Sequence, residues 1–100
     1  MSGSYLRRLD HNVRLFVEPV TEQREVVRYS VTLTLASDEG RHAIRVYDSA
    51  HGFNEMHRHT RTGGKHAGER LHAGTLGEGM RAAITECAAG YRAMIEGWDR

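Results

Sequence analysis

Apolar and polar positions alternate along the first half of the chain and recur at helical spacing in its last quarter. Val13, Leu15 and Val17 interleave with Arg14, Phe16 and Glu18. This period of two predicts a strand, with Phe16 adding an apolar residue to its second face. Pro19 is expected to end that strand, because proline cannot donate to a ladder, and residues 20–25 read as a polar connection. Residues 26–36 carry the clearest alternation. Val27, Tyr29, Val31, Leu33 and Leu35 fall on one face, with Arg28, Ser30, Thr32 and Thr34 on the other. One buried and one wet face indicate an antiparallel sheet. Ser37-Asp38-Glu39-Gly40 reads as a turn with Gly40 at positive φ. Residues 41–48 return as a strand, with Ile44 and Val46 inward and Arg45 and Tyr47 outward.

Residues 49–73 have no sustained period. A structureless loop of this length is uncommon in a small domain, so at least one strand is expected there, at 56–62 or 70–72. Residues 75–98 switch to steps of three and four: Leu76, Met80, Ala83, Ile84, Cys87, Tyr91, Met94, Ile95 and Trp98. That stripe predicts one long amphipathic helix. Thr75 and Glu78 have capping-box spacing at its start, and Gly97 reads as its C-terminal stop. Gly74, Gly77 and Gly79 flank the start. The capping box takes up two of the free N–H groups there, so these glycines are read as allowing a close approach to the sheet or to the 48–60 loop. The fold class is therefore α+β: a three- to four-stranded antiparallel meander with one long C-terminal helix packed on one face. Residues 1–100 form a single domain, with 1–12 a flexible N-terminal segment or one turn packed by Leu6 and Leu9.

Composition narrows the function classes only a little. The 100 residues hold 14 basic and 13 acidic side chains, for a net charge of +1, so no nucleic-acid footprint is signalled by total charge. The single cysteine, Cys87, excludes an intrachain disulfide and sits on the apolar helix stripe. No apolar run reaches the roughly 20 residues of a membrane span. The first residues lack a signal-peptide pattern, so a cytoplasmic location is expected.

The chemistry-bearing side chains concentrate at 47–59, reading Y-D-S-A-H-G-F-N-E-M-H-R-H. Asp48 is suited to an Asx-turn, accepting from the backbone two residues on, with Gly52 reversing the chain. His51 and His57 are the candidate catalytic pair, since two imidazoles in different environments can serve as base and acid. Tyr47, Asp48, Asn54, Glu55, Arg58 and Arg61 are candidate binding residues. His57 and His59 would share a strand face, and with Asp48 they could hold a divalent metal such as Zn or Mn. No recognised ligand spacing is present, so solvated or structural histidines remain the competing reading.

The runs V-Y-D-S-A-H-G-F-N-E-M-H-R-H and T-L-G-E-G-M-R-A-A-I resemble a family of small uncharacterised bacterial and phage proteins. More loosely, Tyr47, Asp48, His57, Arg58 and His59 are similar to the aromatic-Asp and H-R-H elements of TumE-type toxin components. That likeness implies a short antiparallel sheet with a C-terminal helix. Two functions stay open. One is a small interaction protein, toxin-like or phage-encoded, that binds a protein or RNA partner through the 48–62 loop and the adjacent sheet face. The other is a histidine-dependent RNase or metal-assisted hydrolase. A homodimer through an exposed sheet edge is compatible with either.

Overall fold

A computed structural model describes residues 3–72 and 74–100, except for the side chain of His72. The architecture is α+β. An antiparallel sheet is built from β1 (Tyr5–Arg8), β2 (Val13–Glu22), β3 (Glu25–Ser37), β4 (Gly40–Asp48), β5 (Asn54–Thr60), β6 (Gly64–Lys65) and β7 (Glu69–His72). One helix, α1 (Leu76–Asp99), follows. The strands run in the order β1-β2-β3-β4-β5-β6, and β7 pairs with β5 on the same side as β6. Among the described residues the sheet thus has seven strands rather than three or four. The central meander is as expected, and the additional strands lie at its two ends.

Each added strand has a local cause. β1 pairs with β2 from Tyr5↔Val17 to Arg8↔Arg14, yet all four of its residues are exposed, so no apolar alternation announces it. β6 and β7 are two short pieces of one return strand, interrupted at residues 66–68. The expected strand at 56–62 is β5, beginning two residues earlier, and the one at 70–72 is β7.

β2 also continues through Pro19 to Glu22. β1 stops opposite Val17, so among the described residues no strand pairs with the outer side of β2 at Pro19, the position at which a missing donor is tolerated. The turn after it has two residues. Gln23 and Arg24 both take positive φ, 50° and 68°, as a type I′ hairpin requires. Neither is glycine or asparagine, which is why the turn reads as a plain polar connection.

Two bulges reset the alternation. Val20 pairs with Arg28 but Thr21 with Val26, which leaves Val27 as an extra residue. Val26 then packs against the core and Val27 is exposed, the reverse of the strict pattern. Likewise Leu33 pairs with Arg45 and Thr34 with Ala43, leaving Ile44 extra. Beyond this bulge the parity of β4 shifts. Tyr47, expected outward, is completely buried, and Val46, expected inward, lies on the other face.

The helix covers one face of the sheet. Its Ala83, Cys87, Met94 and Trp98 pack with Val13, Leu15, Val17, Tyr29, Val31, Leu33, Ile44, Tyr47 and Met56 in a single core. Burial raises the Cys87 thiol to about 11, in keeping with a packing role rather than a reactive one. The capping box forms, with Thr75 Oγ1 accepting from Glu78 N–H and Glu78 Oε1 accepting from Thr75 N–H. Gly97 does not stop the helix, which runs through it to Asp99. Instead the backbone N–H of Arg61, just past β5, donates to the Trp98 carbonyl at 2.9 Å. No helix among the described residues is long and apolar enough to cross a membrane.

The helix start is fixed by Asn54, the first residue of β5 and 2% exposed. Its Nδ2 donates to the carbonyls of Gly74 and Thr75, and its Oδ1 accepts from the Tyr29 hydroxyl at 2.8 Å. Gly79 lies directly against this amide: a Cβ there would overlap the Asn54 side chain. At Gly97, by contrast, a Cβ meets nothing within 4 Å. Gly79→Ala should therefore destabilise the protein by about 1–3 kcal/mol through overpacking. Gly97→Ala should be neutral or stabilising by up to about 1 kcal/mol through helix propensity. Urea denaturation of the two variants measures this; equal midpoints would contradict the packing account.

Candidate functional site

Strand parity decides which part of residues 47–59 can meet a ligand. In β5, Asn54 and Met56 point beneath the helix, so Glu55 and His57 point to the opposite face. Across the ladder, Asp48 pairs with Glu55 and Val46 with His57, and directly opposed residues share a face. After β4 the chain makes the expected turn. Asp48 Oδ1 accepts from Ala50 N–H at 3.2 Å, Gly52 N–H donates to the Ser49 carbonyl, and Gly52 has φ 84°. This turn carries His51 back over Glu55.

The resulting cluster is compact. His51 Nδ1 and His57 Nε2 both contact the same Glu55 oxygen, Oε1, at 3.0 and 2.8 Å. One donor atom each from Asp48, Glu55 and His57 lie within 4.8 Å of one another. The Glu55 and His57 side chains are each only 9% exposed, whereas that of His51 is 66% exposed. His57 Nδ1 faces the His66 carbonyl at 3.0 Å. A carbonyl only accepts, so Nδ1 carries a proton and Nε2 is the atom presented to Glu55. Gly68 closes the far side: a Cβ there would come within 2.5 Å of Glu55 Cδ. Burial alone would raise the Glu55 carboxyl, but hydrogen bonds from His51 and His57 outweigh it and hold the group below its ordinary range.

His51 and His57, the candidate catalytic pair, are thus brought to one carboxylate, and Asp48 and Glu55 of the candidate binding set stand with them. Of the candidate metal set, Asp48 and His57 converge, while the third place is filled by Glu55 rather than His59. His59 sits near Ile44, Met94 and Trp98. Its Nε2 has no hydrogen-bond partner, and burial lowers its pKa. Tyr47 lies in the core and Asn54 secures the helix, so neither faces a ligand. Arg58 is exposed and pairs with Glu69 at 3.6 Å. Arg61 is remote from the cluster, bound to Asp99 and Glu39 and lying 5.9 Å over the Trp98 ring.

The open face holds residues that the focus on 47–59 passed over. Register places Arg8, Arg14, Phe16, Arg28 and Thr32 on it, from β1 to β3. Arg41 reaches over Phe16 at 6.0 Å and donates to Thr34 Oγ1. At the other end Arg70, paired with Glu55, stacks 4.1 Å from Phe53, which also stacks on His51. The alternation of Arg28, Ser30, Thr32 and Thr34 was the signal for this face. A shallow cavity of about 470 Å³ opens beside Asp48, walled by Glu18, Pro19, Arg28, Tyr29 and Ser30 among others.

Because the folded-state Glu55 pKa is lowered, its contribution to stability is complete above the unfolded value of about 4.5. It is lost as pH falls through the folded value. His59 acts in the same sense: its lowered pKa withdraws stability as pH drops below about 6.5. Urea midpoints with a chelator present should fall from pH 7 to pH 3, and Glu55→Gln should flatten the limb below 4.5. An unchanged limb in that variant would remove the Glu55 account.

No curated protein and no solved structure matches the chain. The family description "Domain of unknown function (DUF7718)" matches residues 1–100. The chain belongs to this DUF7718 family.

Proposed function

We propose that this protein is a small interaction module that binds single-stranded RNA on the open face of its sheet. The observation that carries the reading is the arrangement of that face. Arg8, Arg14, Arg28, Arg41 and Arg70 share it with Phe16 and Phe53, and each aromatic ring has a guanidinium over it. Guanidinium groups engage phosphates, and planar side chains stack on unpaired bases. A net charge of +1 is no obstacle, because affinity follows the local cationic surface rather than the total. The cavity beside Asp48, with Arg28 on its wall, gives the face a recess of nucleotide scale.

Binding of a fluorescent single-stranded RNA should weaken with salt, with a log–log slope of roughly 0.7 per phosphate contact. Replacing Arg14, Arg28 and Arg41 together by Ala should lower that slope by about 2. Replacing Arg81 and Arg92, on the helix, should leave it unchanged. Equal affinity and slope for both variants would sink the reading.

A second reading, a histidine-dependent ribonuclease, is favoured by one specific feature: His51 and His57 meet on a single carboxylate on this same face. One imidazole would take the proton of a 2′-hydroxyl and the other would supply one to the leaving oxygen. A quenched-fluorophore RNA should then be cleaved, and His51→Ala should slow cleavage about 10²-fold or more. Bound but intact RNA would dispose of the nuclease reading and leave the binding reading standing.

A further inference from the structure

We infer that Asp48, Glu55 and His57 form a site for a divalent first-row ion of the zinc or manganese class, independent of whether RNA binds. Two carboxylates and one imidazole suit such borderline ions. Two features of the geometry point to a cation. First, His57 Nδ1 donates to the His66 carbonyl, which directs the other ring nitrogen, Nε2, at the Glu55 carboxylate 2.8 Å away. Both side chains are nine-tenths buried, so an imidazole nitrogen and a carboxylate oxygen are held side by side away from bulk water. A backbone carbonyl holding the second ring nitrogen is also the outer support that ligating histidines commonly have.

Second, the carboxylates are held in place on a face that also carries arginines. Gly68 backs onto Glu55, so the carboxylate has little room to turn away. Asp48 is fixed by its Asx-turn and sits at the edge of the cavity, which gives an ion a path of entry. The donor atoms lie within 4.8 Å of one another. An ion between them at the roughly 2.0–2.2 Å bond lengths of a zinc site would open the 2.8 Å His57–Glu55 contact slightly and draw the most widely spaced donors together. His51, on the exposed side of the same oxygen, is free to complete the coordination or to leave room for water.

The test is equilibrium binding of Zn²⁺ and Mn²⁺ to untagged protein, with no RNA present. One ion per chain should bind, with a rise in the melting temperature. Asp48→Asn keeps the turn's acceptor oxygen and lies at a half-exposed position, so it should fold. It should weaken binding about tenfold or more, as should Glu55→Gln. His59→Gln should bind as the wild type does. In the cobalt-substituted protein, visible absorption should be lost in His57→Gln. No binding at 100-fold excess ion, or equal binding by wild type, Asp48→Asn and Glu55→Gln, would overturn the assignment. Binding lost only in His59→Gln would overturn it as well.

Discussion

The register of β5 is the constraint on which everything else rests. In a strand, neighbouring side chains leave on opposite sides, so Asn54 and Met56 go beneath the helix only if Glu55 and His57 go to the open face. Asn54 enforces this choice. Its amide joins Tyr29 in β3 to the carbonyls at the helix start, and the absence of a side chain at Gly79 is what lets it fit. A slip of one residue would bury a carboxylate and an imidazole against Cys87 and Ala83 and expose Met56. The core and the polar cluster are two outcomes of one pairing.

The two faces of the sheet divide structure from chemistry. The roofed face contains the aliphatic rows of β2 and β3 with Tyr47 and Trp98. The open face contains arginines, hydroxyls and the Asp48–Glu55–His57 group. This division gathers Arg8, Arg14, Arg28, Arg41 and Arg70 on one face of a chain whose total charge is near balance, together with the Asp48–Glu55–His57 recess.

Much of this was legible in the sequence. The helix stripe, the capping box, the Asx-turn at Asp48 and the strict alternation of residues 28–34 each depend on local spacing, and each is found. What was not legible depends on long-range pairing. Tyr47 turned inward because Ile44 forms a bulge opposite Leu33 and Thr34, and nothing within 41–48 marks that extra residue. β1 was hidden because its four side chains are exposed. Gln23-Arg24 concealed a two-residue hairpin because it lacks the usual glycine or asparagine. Of the candidate metal set, Asp48 and His57 come together and His59 stands apart. Sharing a strand with His57 did not bring His59 to the cluster, while Glu55 came into place only through its cross-strand partner Asp48.

The helix is made after every strand it covers. During synthesis the aliphatic rows of β2 and β3 therefore stand bare to water until α1 has emerged. At roughly 5–20 residues per second, the 24-residue helix takes on the order of seconds to appear. Over that interval the nascent sheet offers both a greasy surface and unfilled edges, the conditions under which chains associate wrongly. The short, arginine-bearing β1 at one edge and the broken β6–β7 return at the other leave little regular backbone for a neighbouring chain to extend.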